Sequence, residues 1–201
     1  MALHPDFPAS PHVVLDPEIR WFPADEASRA DMDKLMPPLV PALRRKVKEF
    51  RDSGYVGASP TSTALLTWWF QEPHMLEKAD GSLHEFQYYF AQREALETII
   101  YLHEVVGFHD KHDLIRFDSS GEIKAKLFDE SWRRVVTKMA TGSGKTKVMS
   151  LAIAWSFFHK LYEPESDLAR NFLVIAPNII VLDRIHHDFQ GLRIFFHDPV
   201  L

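Results

Sequence analysis

Gly142-Ser143-Gly144-Lys145-Thr146 is the stretch of this chain best suited to reactive work, and the work it suits is holding phosphate. A triphosphate presents concentrated negative charge, which backbone N–H groups can meet without bulk. Glycines let a loop curl closely around the oxygens because no Cβ intervenes. A helix beginning directly after the loop adds unpaired N–H groups and a partial positive charge. Lys145 supplies a mobile cation for the β- and γ-phosphates, and Thr146 a hydroxyl for Mg²⁺. Thr141, Gly142, Ser143, Gly144, Lys145 and Thr146 are therefore the candidate ATP-binding residues, with Lys145 catalytic and Thr146 the Mg²⁺ ligand. The strict GxxxxGK[ST] spacing asks for glycine at position 139, where this chain has Met139.

Such a loop needs a strand before it and a helix after it. Arg134 to Met139 is a short β-branched run that predicts the strand, and Thr146 to Leu161 predicts the helix. Nine of the 11 residues from Val148 to Phe158 are apolar, so this helix is expected to be covered on most sides. Asn171 to Ala176 predicts a second buried strand, Asn178 to Phe189 a second helix, and Leu192 to Phe196 a third strand. That alternation predicts an α/β domain with a parallel sheet. Upstream, Ala91 to Val106 reads as one amphipathic helix, with Ala95, Ile99, Leu102 and Val106 on one stripe and Gly107 ending it. The turn Asp118-Ser119-Ser120-Gly121 is flanked by candidate strands at Leu114–Phe117 and Glu122–Phe128.

Ten of the 13 prolines lie in the first 73 residues, which predicts short helices and stiff turns there. Residues 1 to about 23 show little periodicity and are expected to wrap a surface. Leu43, Val47 and Phe50 recur at helical spacing after a break at Pro41. The opposite face carries Arg44, Arg45, Lys48 and Arg51, read as solvated, with a DNA-backbone contact as the alternative. The hydroxyls of Thr61-Ser62-Thr63 offer a cap for a helix through Phe70, with Trp68 and Trp69 as core anchors.

The 201 residues suffice for one domain, or one small domain plus part of another. There is no cysteine, which removes disulfides and thiolate metal sites and suits a reducing cytoplasm. The N-terminus lacks a signal-peptide pattern, and the longest apolar run is well short of the ~20 residues a bilayer span needs. A soluble, cytoplasmic protein with no membrane partner is expected. The net charge of −5 and pI of about 6.1 speak against a dedicated nucleic-acid-binding domain, which is usually basic.

Lys138-Met139-Ala140-Thr141-Gly142-Ser143-Gly144-Lys145-Thr146 resembles motif I of superfamily 2 helicases of the DEAD/DEAH type, particularly the Res subunits of type III restriction enzymes and the motor of type I enzymes. That version of the loop tolerates a small or apolar residue at position 139. Phe90-Ala91-Gln92-Arg93-Glu94-Ala95 resembles the Q-motif region, in which Gln92 would read the adenine edge, donating one hydrogen bond and accepting another. Phe172 to Asn178, followed by Ile180 to Arg184, resembles motif Ia, which implies Asn178 and Arg184 as contacts to the nucleic-acid backbone.

The resemblance implies an N-terminal helical, Pro-rich extension over residues 1–85 and an incomplete first RecA-like domain over 86–201. It implies an ATP-dependent DNA helicase or translocase of a restriction-modification or related defence system. Duplex DNA and a methyltransferase (modification) subunit would be its partners. The Asp-Glu pair of motif II would follow motif Ia; Asp129-Glu130 and Asp25-Glu26 precede the loop and do not qualify. The expectation is a fragment of a motor that binds nucleotide but turns it over poorly. Another P-loop NTPase, such as an AAA-type ATPase or a kinase, and a non-catalytic docking module with a remnant loop are the alternatives.

His103, His109, His112 and Asp113 have spacings that do not share a helix face, and His186-His187 point in different directions, so no metal site is expected. Phe86, Tyr88, Tyr89 and Phe90 are read as core, with stacking on adenine as the alternative.

Overall fold

A computed structural model of the chain describes residues 10–17, 39–118, 133 and 135–201. Their contacts fall into two units, Met1–Ala58 with Glu97–Lys138 and Ser59–Leu96 with Met139–Leu201. Glu122–Phe128 and most of residues 1–23 lie outside the described residues.

In the first unit, α1 spans Leu39–Asp52 and buries Val47, Phe50 and Arg51. It starts ahead of Pro41, because a proline in the first turn gives up an N–H that has no helical acceptor anyway. It ends in a Schellman turn: Tyr55 N–H donates to Phe50 O and Gly54 N–H to Arg51 O, with Gly54 at φ 73°. The Arg51 guanidinium, expected on a solvated face, is instead buried. Its Nη2 donates to Glu97 Oε2 at 2.5 Å and its Nε to the same oxygen at 2.8 Å. The Tyr55 hydroxyl donates to Glu97 Oε1 at 2.9 Å. A fully buried carboxylate is tolerable because these donors satisfy it.

Glu97 belongs to α3, Phe90–Ile100, which was expected to run on to Val106. After Ile100 the backbone widens into a π-helical turn over Tyr101–Val105, where Val106 N–H donates to Tyr101 O. Burial follows Leu96 and Ile100 rather than the expected Ala95 and Ile99, then Leu102 within the π turn, as expected, and Phe108 beyond it. Leu102, Phe108 and Phe117 form a small core against Leu39, Ala42, Leu43 and Leu114. Leu114–Phe117 is not a strand. Asp110 and Asp113 accept each other's backbone N–H groups, a reciprocal cap that starts the helix α4, Lys111–Ile115.

In the second unit, α2 spans Pro60–Phe70. Its cap is Ser59, whose hydroxyl accepts from Ser62 N–H, ahead of the expected Thr61–Thr63. Trp69 is a core anchor, its indole donating to Val200 O at 3.0 Å, whereas Trp68 is partly exposed and edge-on to His74. An antiparallel hairpin, β1 His74–Glu77 and β2 Leu83–Phe86, follows with His74 opposite Phe86. Its local signal is Asp80-Gly81; Asp80 accepts from Ser82 and Gly81 takes φ 80°.

The long helix α5, Lys145–Tyr162, forms as expected and packs against α2 through Trp155, whose indole donates to Ser62 Oγ at 2.7 Å. One face is covered, while Phe157, Leu161 and Tyr162 are exposed. The expected parallel sheet is not seen among the described residues, whose one ladder is the β1–β2 hairpin. Residues 135–139 and 171–176 carry no regular structure, and Val136, Leu173 and Ile175 are 80%, 86% and 82% exposed. Strand-forming side chains make a strand only when a neighbour supplies the ladder and the cover. Beyond them α6 spans Ile179–Phe189, capped by Asn178. Gly191 and Leu192, both at positive φ, then turn the chain, so that Leu192–Phe196 yields the short helix α7, Arg193–His197, instead of a third strand.

Candidate nucleotide-binding site

The loop ahead of α5 is a tight turn. Gly142 and Gly144 sit at φ 82° and 79°, a region that side chains with a Cβ rarely adopt. Ser143 closes the turn through its hydroxyl, which donates to Ala140 O at 2.7 Å. Gly144 ends the loop and α5 starts at Lys145, so Lys145 and Thr146 occupy its first two positions, where backbone N–H groups have no acceptor four residues back. The Lys145 ammonium folds over the loop and donates to the carbonyls of Ala140 at 2.8 Å and Met139 at 3.2 Å. Lys145, Thr141 and Gly142 are exposed, and Thr146 is half-buried.

Gln92 is brought to this loop from the first turn of α3. Its side chain is 2% exposed and spoken for at both ends. Oε1 accepts from Tyr89 N–H at 2.9 Å, the reach-back of a third-position helix residue to the cap. Nε2 donates to Ser143 O, also at 2.9 Å. A Cβ placed on Gly144 would lie 2.2 Å from that same Nε2, so the glycine leaves the room the amide occupies.

Lys147, which the sequence reading missed, anchors the same helix end. Its ammonium pairs with Asp198 at 2.6 Å and lies 4.8 Å from the centre of the Phe86 ring. No local signal marks it, because its carboxylate partner comes 51 residues later. Phe86 meets Tyr88 edge-on, and burial, with a smaller effect of the Asp198 charge, pushes the Tyr88 hydroxyl above its ordinary pKa. Tyr88 and Phe90 are core; Tyr89, beside Gln92, keeps an exposed ring. Asn178 and Arg184 are not brought to the loop by any contact described: Asn178 Oδ1 accepts from Val181 N–H at 3.0 Å as the cap of α6, and Arg184 is exposed on that helix.

A positively charged side chain, a hydroxyl and a helix start behind two left-handed glycines form a donor set fitted to phosphate and to a hard, oxygen-seeking cation such as Mg²⁺. This is the chemistry of a nucleotide-dependent protein. Comparison with known families agrees: the model for the type III restriction enzyme res subunit matches residues 84–198, more than half of the chain. The chain belongs to that family, whose function is helicase-like and ATP-dependent. The family implies a RecA-like fold, and its members in general use ATP and Mg²⁺ and work with DNA and a modification subunit. No curated protein and no solved structure matches the chain. No helix among the described residues is long and apolar enough to cross a membrane.

Proposed function

We propose that residues 86–201 are the ATP-binding part of a DNA translocase of a restriction-modification or related defence system, with residues 1–85 as its own N-terminal extension. The observation that carries this reading is the turn formed by Gly142 and Gly144, running directly into α5 with Lys145 and Thr146 at its head.

In this reading the backbone of Thr141 to Gly144 and the first N–H groups of α5 receive the phosphates. Lys145 leaves the carbonyls of Met139 and Ala140 and turns to the β- and γ-phosphates, where its charge offsets that of the transferring group. Thr146 holds Mg²⁺, which supplies electrostatic stabilisation of the phosphates when bound. Gln92 holds the loop's shape through Ser143 and, with the exposed ring of Tyr89, borders the place for the base. Asn178 and Arg184 touch the nucleic-acid backbone, and duplex DNA and a modification methyltransferase are the partners.

The test is thermal unfolding with and without Mg-ATP. Ligand at about a hundred times its Kd adds about 2.7 kcal/mol of stability, a shift readily measured. The wild-type chain is expected to show that shift and Lys145→Ala to lose it. An equal shift in both would remove Lys145 from the site.

A further inference from the structure

The first unit holds a groove of about 550 Å³ that the nucleotide site does not use. Arg45, Lys46 and Glu49 of α1 form one wall, Tyr101 of the π turn another, and Arg116 and Phe117 a third. Three cations against one carboxylate leave the lining positive in a chain whose net charge is −5. Lys46 pairs with Glu49 at 2.7 Å, and this partner holds its ammonium pKa above the ordinary value, so its charge persists well past neutrality.

Arg116 is fixed in place. Its Nη2 donates to Val106 O at 3.1 Å, and its guanidinium lies 5.3 Å from the centre of the Phe117 ring. That bond uses one of the five N–H groups a guanidinium carries. The π turn makes the arrangement: its extra residue brings Val106 over Tyr101, so Tyr101, Val105 and Val106 all line the groove. Such widened turns recur at functional sites. Of the four basic residues on the α1 face read as solvated, Arg51 is buried on Glu97 and Lys48 pairs with Asp52. Arg45 lines the groove instead, joined by Lys46 and Arg116.

We propose that this groove binds a single strand of nucleic acid, with Arg45, Lys46 and Arg116 on its phosphates and Tyr101 against a base. Cations interleaved with an aromatic ring are the pairing that a single strand recognises: the backbone meets charge, and any base offers a face to the ring. The choice of DNA over RNA rests on the translocase reading; the groove itself does not.

The experiment is fluorescence anisotropy of a fluorescein-labelled 20-nucleotide DNA strand with the 201-residue chain, without nucleotide, across a salt series. The variants are R45Q/R116Q and the charge-keeping R45K/R116K. Losing two phosphate contacts lowers the slope of log K against log salt by roughly 1.4 for a single strand. The Gln variant is expected to bind about tenfold or more weakly with that shallower slope, and the Lys variant to bind nearly as wild type. Unchanged affinity and slope in the Gln variant overturn the proposal, as does tighter binding of the matching duplex than of the strand. Mg-ATP thermal shifts of wild type and the Gln variant are read in parallel. If neither shifts, the phosphate-loop reading fails while the groove result stands.

Discussion

Gln92 and Ser143 are joined across 51 residues of chain by one hydrogen bond, from the glutamine Nε2 to the serine carbonyl. The other end of the same amide caps α3 through Tyr89 N–H, so a single side chain links the start of one helix to the loop that starts another. An amide can do both, since it donates at one end and accepts at the other.

Gln92→Glu separates these two roles. The carboxylate keeps the bond from Tyr89 but sets negative charge against the Ser143 carbonyl in a buried place. Leaving a buried polar group without its bond costs about 1–3 kcal/mol, more for a charged one. Lower thermal stability is expected, with Mg-ATP and Mg-GTP affinity falling in equal proportion, since the loop and not the base contact is disturbed. Loss of ATP binding alone, with GTP unchanged, would make Gln92 a reader of adenine rather than a holder of the loop.

Gly144→Ala should be among the most damaging small substitutions in the second unit. The new Cβ meets Gln92 Nε2 at 2.2 Å, and the backbone at φ 79° costs a residue with a Cβ about 1–3 kcal/mol besides. Gln92→Ala removes the clash but leaves the backbone strain. The double variant is therefore expected to be more stable than the sum of the two losses, by about 0.5–3 kcal/mol in a thermodynamic cycle. Strict additivity in urea melts would mean the two residues do not constrain each other.

Where the sequence spoke clearly, the determinants were local. Two glycines at positive φ set the turn, and the helix expected after it begins at Lys145. Val136, Leu173 and Ile175 show the opposite case: their side chains favour strands, but a ladder needs a neighbour, which no local pattern supplies. Arg44 and Arg51 are seven apart and read as one solvated face; Arg51 turned inward because Glu97, 46 residues away, was there to receive it. Trp68 and Trp69 are adjacent and alike, yet only Trp69 reaches the Val200 carbonyl. Gln92 was singled out, but its tie to Ser143 was invisible until both helices were in place.

Arg51, Glu97 and Tyr55 make a buried network whose loss is asymmetric. Arg51→Met leaves the Glu97 carboxylate buried with the tyrosine hydroxyl as its remaining donor among the bonds described. Breaking one side of a buried pair typically costs about 3–5 kcal/mol, whereas replacing both sides with apolar residues is often close to neutral. Arg51→Met alone should raise amide hydrogen exchange along α1 by orders of magnitude, and Arg51→Met with Glu97→Leu should restore most of the protection. A double variant exchanging faster than the single one would show that the pair stabilises beyond its own charges.

Glu163 gives the second unit a dependence on acid. It follows α5, and its Oε1 accepts from Thr61 N–H at 3.0 Å and from the Thr61 hydroxyl at 2.5 Å, at the positive start of α2. The side-chain bond, then the backbone bond, hold its carboxyl below the ordinary value of 4.5. A depressed folded-state pKa means stability that is fully present above 4.5 and drains away as pH falls through the folded value. Glu163→Gln cannot ionise, so it should lower the melting temperature at neutral pH and flatten its fall in acid. The two curves should therefore converge as pH falls through the folded-state value. Melting curves that stay parallel from neutral pH down would place the acid sensitivity on another carboxylate.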